Sequence, residues 1–83
     1  MRTLDYQTSG TCSRAIHITL TDDDRLESVT FDGGCHGNLQ GIGALVHGMK
    51  RADVIARLRG IDCKARGTSC PDQLARALES AVG

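Results

Sequence analysis

Residues 16–20 alternate strictly, with Ile16, Ile18 and Leu20 separated by His17 and Thr19. A period of two sends successive side chains to opposite faces, so this segment predicts a strand with one buried face. Asp22-Asp23-Asp24 predicts a turn, because short acidic side chains satisfy nearby backbone donors. Glu27-Ser28-Val29-Thr30-Phe31 then places Val29 and Phe31 on one face, and the two segments read as an antiparallel hairpin. Thr3–Tyr6 offers a third strand, and Thr8–Thr11 a loop that leads into Cys12.

Beyond residue 33 the period changes. Leu39, Ile42, Leu45, Val46 and Met49 recur at three-to-four spacing, an apolar helical stripe with Gly48 near its end. Ala52–Arg59 predicts a short second helix with Val54, Ile55 and Leu58 inward and Gly60 as a left-handed cap. Residues 60–68 read as a loop holding Cys63. Pro71–Val82 predicts the last helix, with Leu74, Leu78 and either Ala81 or Val82 inward. Its start signal is double: Pro71 suits the first helical position after a Cys70 cap, and Ser69 with Asp72 forms a capping box if Ser69 is the cap. The pattern as a whole predicts an α+β fold, an antiparallel sheet of about three strands covered by three helices.

Eighty-three residues allow one domain, residues 1–83. With Tyr6 and Phe31 as the only aromatic residues, the core must come from Leu, Ile, Val and Ala, and a domain so small is often held together by a metal, a disulfide or a partner. Ten basic and ten acidic side chains balance. That removes the electrostatic ground for nucleic acid or an anionic membrane as the main partner. No apolar run approaches the ~20 residues that span a bilayer. Residues 1–6 lack a signal-peptide core, so a cytoplasmic protein is expected.

In a reducing compartment four cysteines point to a metal or redox site before a disulfide framework. Cys12, Cys35, Cys63 and Cys70 contain no Cys-x-x-Cys pair, so a shared site must be assembled by folding. Cys35 and Cys70 each stand at a predicted helix start, where the positive end of the helix dipole favours thiolate. The hairpin should bring Cys12 and Cys35 to one end of the sheet, where the loop with Cys63 and the helix start with Cys70 can dock. Four thiolates suit tetrahedral zinc or an iron–sulfur cluster. The plainer reading makes them small core residues, since cysteine is often buried; it weakens for all four together, because none sits within an apolar stripe.

Gly33, Gly34, Gly37, Gly41 and Gly43 crowd one helix start, either for close packing or to expose backbone N–H groups to a bound anion. His36 and Asn38 lie beside Cys35 as auxiliary candidates, a ligand or proton carrier and a hydrogen-bonding group, and both also suit a solvated helix start. His17 and His47 fall on polar faces. Arg51, Arg57, Arg59, Lys64 and Arg66 make a basic stretch, by default solvated and otherwise a docking face for an acidic partner. Asp22–Asp24 lacks the further oxygen ligands a metal loop requires.

At Thr68-Ser69-Cys70-Pro71-Asp72-Gln73-Leu74-Ala75 the chain resembles the TSCPD domain family, and the likeness extends through Phe31-Asp32-Gly33-Gly34-Cys35-His36-Gly37-Asn38-Leu39 and Leu58-Arg59-Gly60-Ile61-Asp62-Cys63. That resemblance implies a domain that stands alone or forms a C-terminal piece of adenosylcobalamin-dependent ribonucleotide reductases. It implies a reductase-related accessory and no enzyme in its own right, since the chain is too short for the reductase barrel. A more distant resemblance, in the order of elements, is to iron–sulfur scaffold proteins of the IscU and SufU type. It implies ligands at Cys12, Cys35 and Cys70, with Arg14 and Ser69 where those proteins carry an aspartate and a histidine, and with Cys63 as an additional sulfur. The expectation is a binding module in which four cysteines hold zinc or an iron–sulfur centre, with His36, Asn38, Ser69 and Asp72 around it. A protein partner follows, either the reductase or the iron–sulfur machinery. Two alternatives are a thiol–disulfide relay and an inert docking domain.

Overall fold

The computed structural model describes residues 1–11, 13–34, 36–62 and 67–80, without the His36 side chain. Its elements run β1 (Arg2–Gln7), β2 (Ser13–Leu20), β3 (Leu26–Gly33), α1 (His36–Val46), α2 (Arg51–Leu58) and α3 (Cys70–Ser80). The sheet is antiparallel in the order β1-β2-β3, so the expected three strands and three helices are present.

The alternation in β2 does what period two requires. Ile16, Ile18 and Leu20 are buried and form one core with Leu26, Val46, Val54, Leu74, Ala77 and Leu78. Leu4, Tyr6, Val29 and Phe31 from the flanking strands pack against it. The helices cover this face, with α1 against β3 and α3 against both α2 and β2.

Helix α1 differs in detail from its predicted stripe. Leu39 and Val46 are buried and Ile42 packs on the core, whereas Leu45 is 79% exposed. At 3.6 residues per turn, Leu45 projects about 120° away from Leu39, outside the arc that Ile42 and Val46 share with it. Met49 lies beyond the helix end yet still packs on the core. Helix α2 starts and ends one residue earlier than expected, with Val54 buried and Ile55 and Leu58 inward. Gly60 follows it with φ +91°, as a left-handed cap requires. In α3 Leu74 and Leu78 are buried as predicted, and the end of its predicted span, at 81–82, lies outside the described residues.

The turn at the far end of the hairpin is tied down by charge. Arg51 Nε donates to both carboxylate oxygens of Asp24 at 3.0 Å, and its Nη1 donates to the Leu78 carbonyl at 3.0 Å. Arg59 pairs with Glu79 at 2.6 Å. Arg51 and Arg59 of the basic stretch are therefore engaged within the chain.

The other face of the sheet is polar and carries a constellation that sequence reasoning missed. His17 Nδ1 lies 2.6 Å from Asp5 Oδ1 and its Nε2 lies 2.8 Å from Asp32 Oδ2. Carboxylates accept and do not donate, so keeping both bonds requires hydrogen on both ring nitrogens, the imidazolium form. The hydrogen bond to Asp5, then that to Asp32, raises the His17 pKa above its usual 6.5. The raised folded-state value fixes the sign of the pH dependence. The bridge stabilises the sheet fully below the unfolded value of 6.5, and that contribution is lost as pH rises through the higher folded value. NMR titration of the His17 ring is expected to give a pKa above 6.5, falling back toward it in Asp5→Asn and Asp32→Asn. An unshifted ring in the parent chain would contradict the bridge.

Candidate functional site

At the opposite end of the hairpin from Asp24, β2 and β3 open with an irregular register. Ser13 pairs with Gly33 and Ala15 with Asp32, leaving Arg14 as the extra residue of a bulge. Counting by twos from Ile16 would turn Arg14 inward and Ser13 out. The bulge reverses this, so that Ser13 is 4% exposed while Arg14 faces solvent.

Ser13 thereby meets the start of α3. Its Oγ lies 3.2 Å from Cys70 Sγ, and Cys70 is itself 8% exposed. Ser13 Oγ also lies 3.1 Å from Thr11 Oγ1. The loop before β2 is stitched to the same helix start. The Ser9 N–H donates to Gln73 Oε1 at 3.2 Å, and Gln73 Nε2 donates to Thr68 Oγ1 at 2.9 Å. Gly34 completes the corner, with φ +80° and its α-carbon so close that an added Cβ would sit 3.4 Å from the Ser13 backbone nitrogen.

Helix α3 begins as the capping signal anticipates, with Ser69 as the cap. The Asp72 N–H donates to Ser69 Oγ at 3.1 Å, and the Gln73 N–H donates to the Ser69 carbonyl at 2.8 Å. This makes Cys70 the first helical residue and Pro71 the second, so Ser69 takes the role for which Cys70 was the alternative. The reciprocal half of the capping box is replaced. The Asp72 carboxylate is fully buried and accepts from the Gly60 N–H at 2.6 Å, Arg76 Nε at 2.7 Å, Arg59 Nη1 at 3.5 Å and the Thr68 hydroxyl. Burial alone pushes its pKa up. The hydrogen bonds from Thr68, Gly60 and Arg76 outweigh that and hold it at about 2, well below the usual 3.8.

Of the four predicted ligands, Cys70 is described, and Cys12, Cys35 and Cys63 lie outside the described residues. Described neighbours of Cys12 and Cys35 lie beside Cys70. Thr11 and Ser13 flank Cys12, Gly34 precedes Cys35, and all three lie at the corner that Cys70 occupies. Asp62, next to Cys63, and Gly67 are joined by a hydrogen bond from the Gly67 N–H to Asp62 Oδ1. Gly60 and Thr68, on either side of that stretch, both donate to the Asp72 carboxylate of α3. Among the described residues no group of three or more His, Cys, Asp or Glu side chains stands ready to hold a metal ion. Asn38 is exposed on the first turn of α1, and the predicted role of His36 rests on a side chain outside the described residues.

The glycine cluster divides by function. An added Cβ at Gly43 would lie 2.9 Å from the Val29 carbonyl oxygen, so this glycine lets α1 lie against β3, whereas Gly37 and Gly41 face open space. A cleft of about 270 Å³ between β3 and the start of α1 is lined by Val29, Phe31, Leu39, Gln40 and their neighbours. Among the described residues that line it none is charged.

A small α+β domain with a cysteine-bearing corner is the class that this geometry defines. The model of the TSCPD domain matches residues 2–82, and the chain belongs to that family. Comparison with curated proteins and with solved structures gives no match. No helix among the described residues is long and apolar enough to cross a membrane.

Proposed function

We propose that this TSCPD domain is a non-catalytic metal-binding module in which Cys12, Cys35, Cys63 and Cys70 together hold one zinc ion at the open end of the sheet. The observation that carries the reading is the 3.2 Å approach of Ser13 Oγ to Cys70 Sγ. It links the neighbour of one cysteine to the sulfur of another, at the corner where Gly34 leads into a third. The surroundings of Cys70 suit a bound thiolate. The Ser13 hydroxyl stands 3.2 Å from the Cys70 sulfur at the start of α3, near enough to donate to that sulfur when it is bound to a metal as thiolate. Four thiolates form a closed tetrahedral shell of the kind found in structural zinc sites, and such a centre would add folding free energy to a core short of aromatic residues.

The same sulfur set suits an iron–sulfur centre, which the experiment distinguishes. On this reading the partner is a ribonucleotide reductase, as the TSCPD resemblance implies, or the iron–sulfur machinery, as the likeness in element order to IscU- and SufU-type scaffolds implies.

Elemental analysis of the chain purified without chelator is expected to give one zinc per chain, with all four thiols protected from a thiol reagent until the metal is removed. Each single Cys→Ser variant is expected to lose most of the metal. Iron with inorganic sulfide and visible absorbance would replace zinc by a cluster. A fully folded, metal-free chain with four reactive thiols would end the proposal.

A further inference from the structure

We propose that the outer edge of β1 binds a second copy of this chain, strand against antiparallel strand about a two-fold axis at Leu4, so that the two sheets run on as one. Each edge of a sheet leaves backbone donors and acceptors without a ladder partner, and a folded chain either covers them or pairs them. The order β1-β2-β3 makes β1 and β3 the edges. The β3 edge is closed from within the chain. The Leu26 N–H donates to the Met49 carbonyl at 2.9 Å, and the Gly48 N–H donates to the Leu26 carbonyl at 2.7 Å. His47 Nδ1 lies 2.7 Å from the Glu27 carbonyl, and α1 packs along the strand. Among the described residues no strand pairs with the outer side of β1.

The ladder to β2 decides which groups that side presents. Leu4 is opposite Ile18 and Tyr6 opposite Ile16, and the Thr8 N–H continues the series with a bond to the Arg14 carbonyl at 3.1 Å. Antiparallel partners exchange bonds at every second residue, so the even-numbered positions bond inward to β2. Thr3, Asp5 and Gln7 therefore turn their N–H and C=O groups outward. A second β1 can meet them only in a register that keeps every side chain on its own face of the sheet. Two such registers overlap most of the strand, and charge selects between them. Turning about Asp5 sets the two Asp5 carboxylates side by side, an unfavourable like-charge pair. Turning about Leu4 sets Thr3 against Asp5 of the second copy at two places, Leu4 against Leu4, and Arg2 against Tyr6. No like charges then oppose, an arginine meets an aromatic ring, and the half-buried Leu4 and Tyr6 gain apolar cover. Helix α3 rests mainly on α2 and β2, so the helical layers of two copies stand apart at the junction.

Six residues from each copy make a small junction, below the roughly 800 Å² per partner of a standard stable interface. A reversible dimer is therefore expected, dissociating on the order of 100 µM. Sedimentation equilibrium of the full chain, kept reduced so that no disulfide joins two copies, should show it with and without chelator. Thr3→Pro removes one outward N–H from each copy and keeps the inward bonds of the strand, so it is expected to weaken association at least about tenfold. Thr3 is exposed, and charge placed there tests the register by its sign. Thr3→Lys, facing Asp5 of the other copy at two places, is expected to tighten association about threefold or more, and Thr3→Asp to weaken it by as much. Both effects should shrink in about 1 M salt. In the register about Asp5, Thr3 faces Gln7 and the two charges act alike. Where Thr3→Pro does not fold, the charged pair decides alone. A chain monomeric at about 1 mM overturns the proposal. So does a dimer that needs metal, one that a folded Thr3→Pro chain still forms at parent strength, or one that Leu45→Glu on α1 abolishes while both Thr3 charges leave it unmoved.

Discussion

Leu74→Ala is expected to destabilise the chain by about 2–5 kcal/mol, the range for truncating a fully buried leucine whose surroundings cannot collapse onto the space. Leu74 is completely buried in α3, packed into the cluster that includes Ile16, Ile18, Val54 and Leu78. Few large side chains are available to fill the gap, because Tyr6 and Phe31 are the only aromatic residues and both sit at the core's margin. Against a total stability of roughly 4–12 kcal/mol for a chain of this length, the loss would leave much of the population unfolded at modest denaturant. A urea titration in chelator, so that metal binding does not add to stability, reads it as a fall in midpoint at unchanged slope. Leu45→Ala serves as the contrast. That side chain is 79% exposed, and its removal should change stability by no more than about 0.5 kcal/mol. Equal effects of the two substitutions would mean that the packing face of the helices is wrongly assigned.

Two glycines two positions apart on α1 are expected to respond to alanine with opposite signs. Replacing a helical glycine by alanine gains about 1 kcal/mol through backbone entropy and propensity. Gly41 faces open space, so that gain should appear undiminished. At Gly43 the new methyl group would lie 2.9 Å from the Val29 carbonyl oxygen, a main-chain atom that cannot rotate away. Moving α1 off β3 costs about 1–3 kcal/mol, as overpacking does elsewhere, and this outweighs the propensity term. Gly43→Ala is therefore expected to be net destabilising, with its largest loss of hydrogen-exchange protection in β3. A stabilised Gly43→Ala chain would show that helix and strand are not in close contact there.

The hairpin was legible because strict alternation has a single structural solution, and the helices because their apolar residues recur at the helical period. The start of α3 was legible to within one residue: Pro71 was expected as the first helical position with the cap open between Ser69 and Cys70, and the helix begins at Cys70 with Ser69 as its cap. Leu45 was misplaced because a five-member apolar stripe contains more residues than one helix face can bury. The deeper misses concern polar atoms. Asp72 was visible as a capping residue, but its larger role depends on Gly60 and Thr68, which only tertiary folding brings to it. The pairing of Arg76 with Asp72, four positions apart, was the one local hint. His17 was placed on the correct face, yet its two carboxylate partners come from two other strands, and no local pattern encodes that register. For the cysteines, topology indicated one end of the sheet; the described neighbours of Cys12 and Cys35 lie there beside Cys70, and Cys12, Cys35 and Cys63 themselves lie outside the described residues. Ser13 left no trace, because its inward turn depends on a break in the very periodicity from which strands are read.

That break makes Arg14 matter by being counted. Its guanidinium points to water, so exchanging it for another polar residue changes little, and a scan by substitution would pass over it in silence. Without the offset at Arg14, a strand of the same length would be an unbroken pleat with Arg14 turned inward and Ser13 to the solvent side. The sulfur of Cys70 would then lose its hydroxyl neighbour while every hydrophobic residue kept its place. At this corner the offset of the strand is inherited information that no single side chain records.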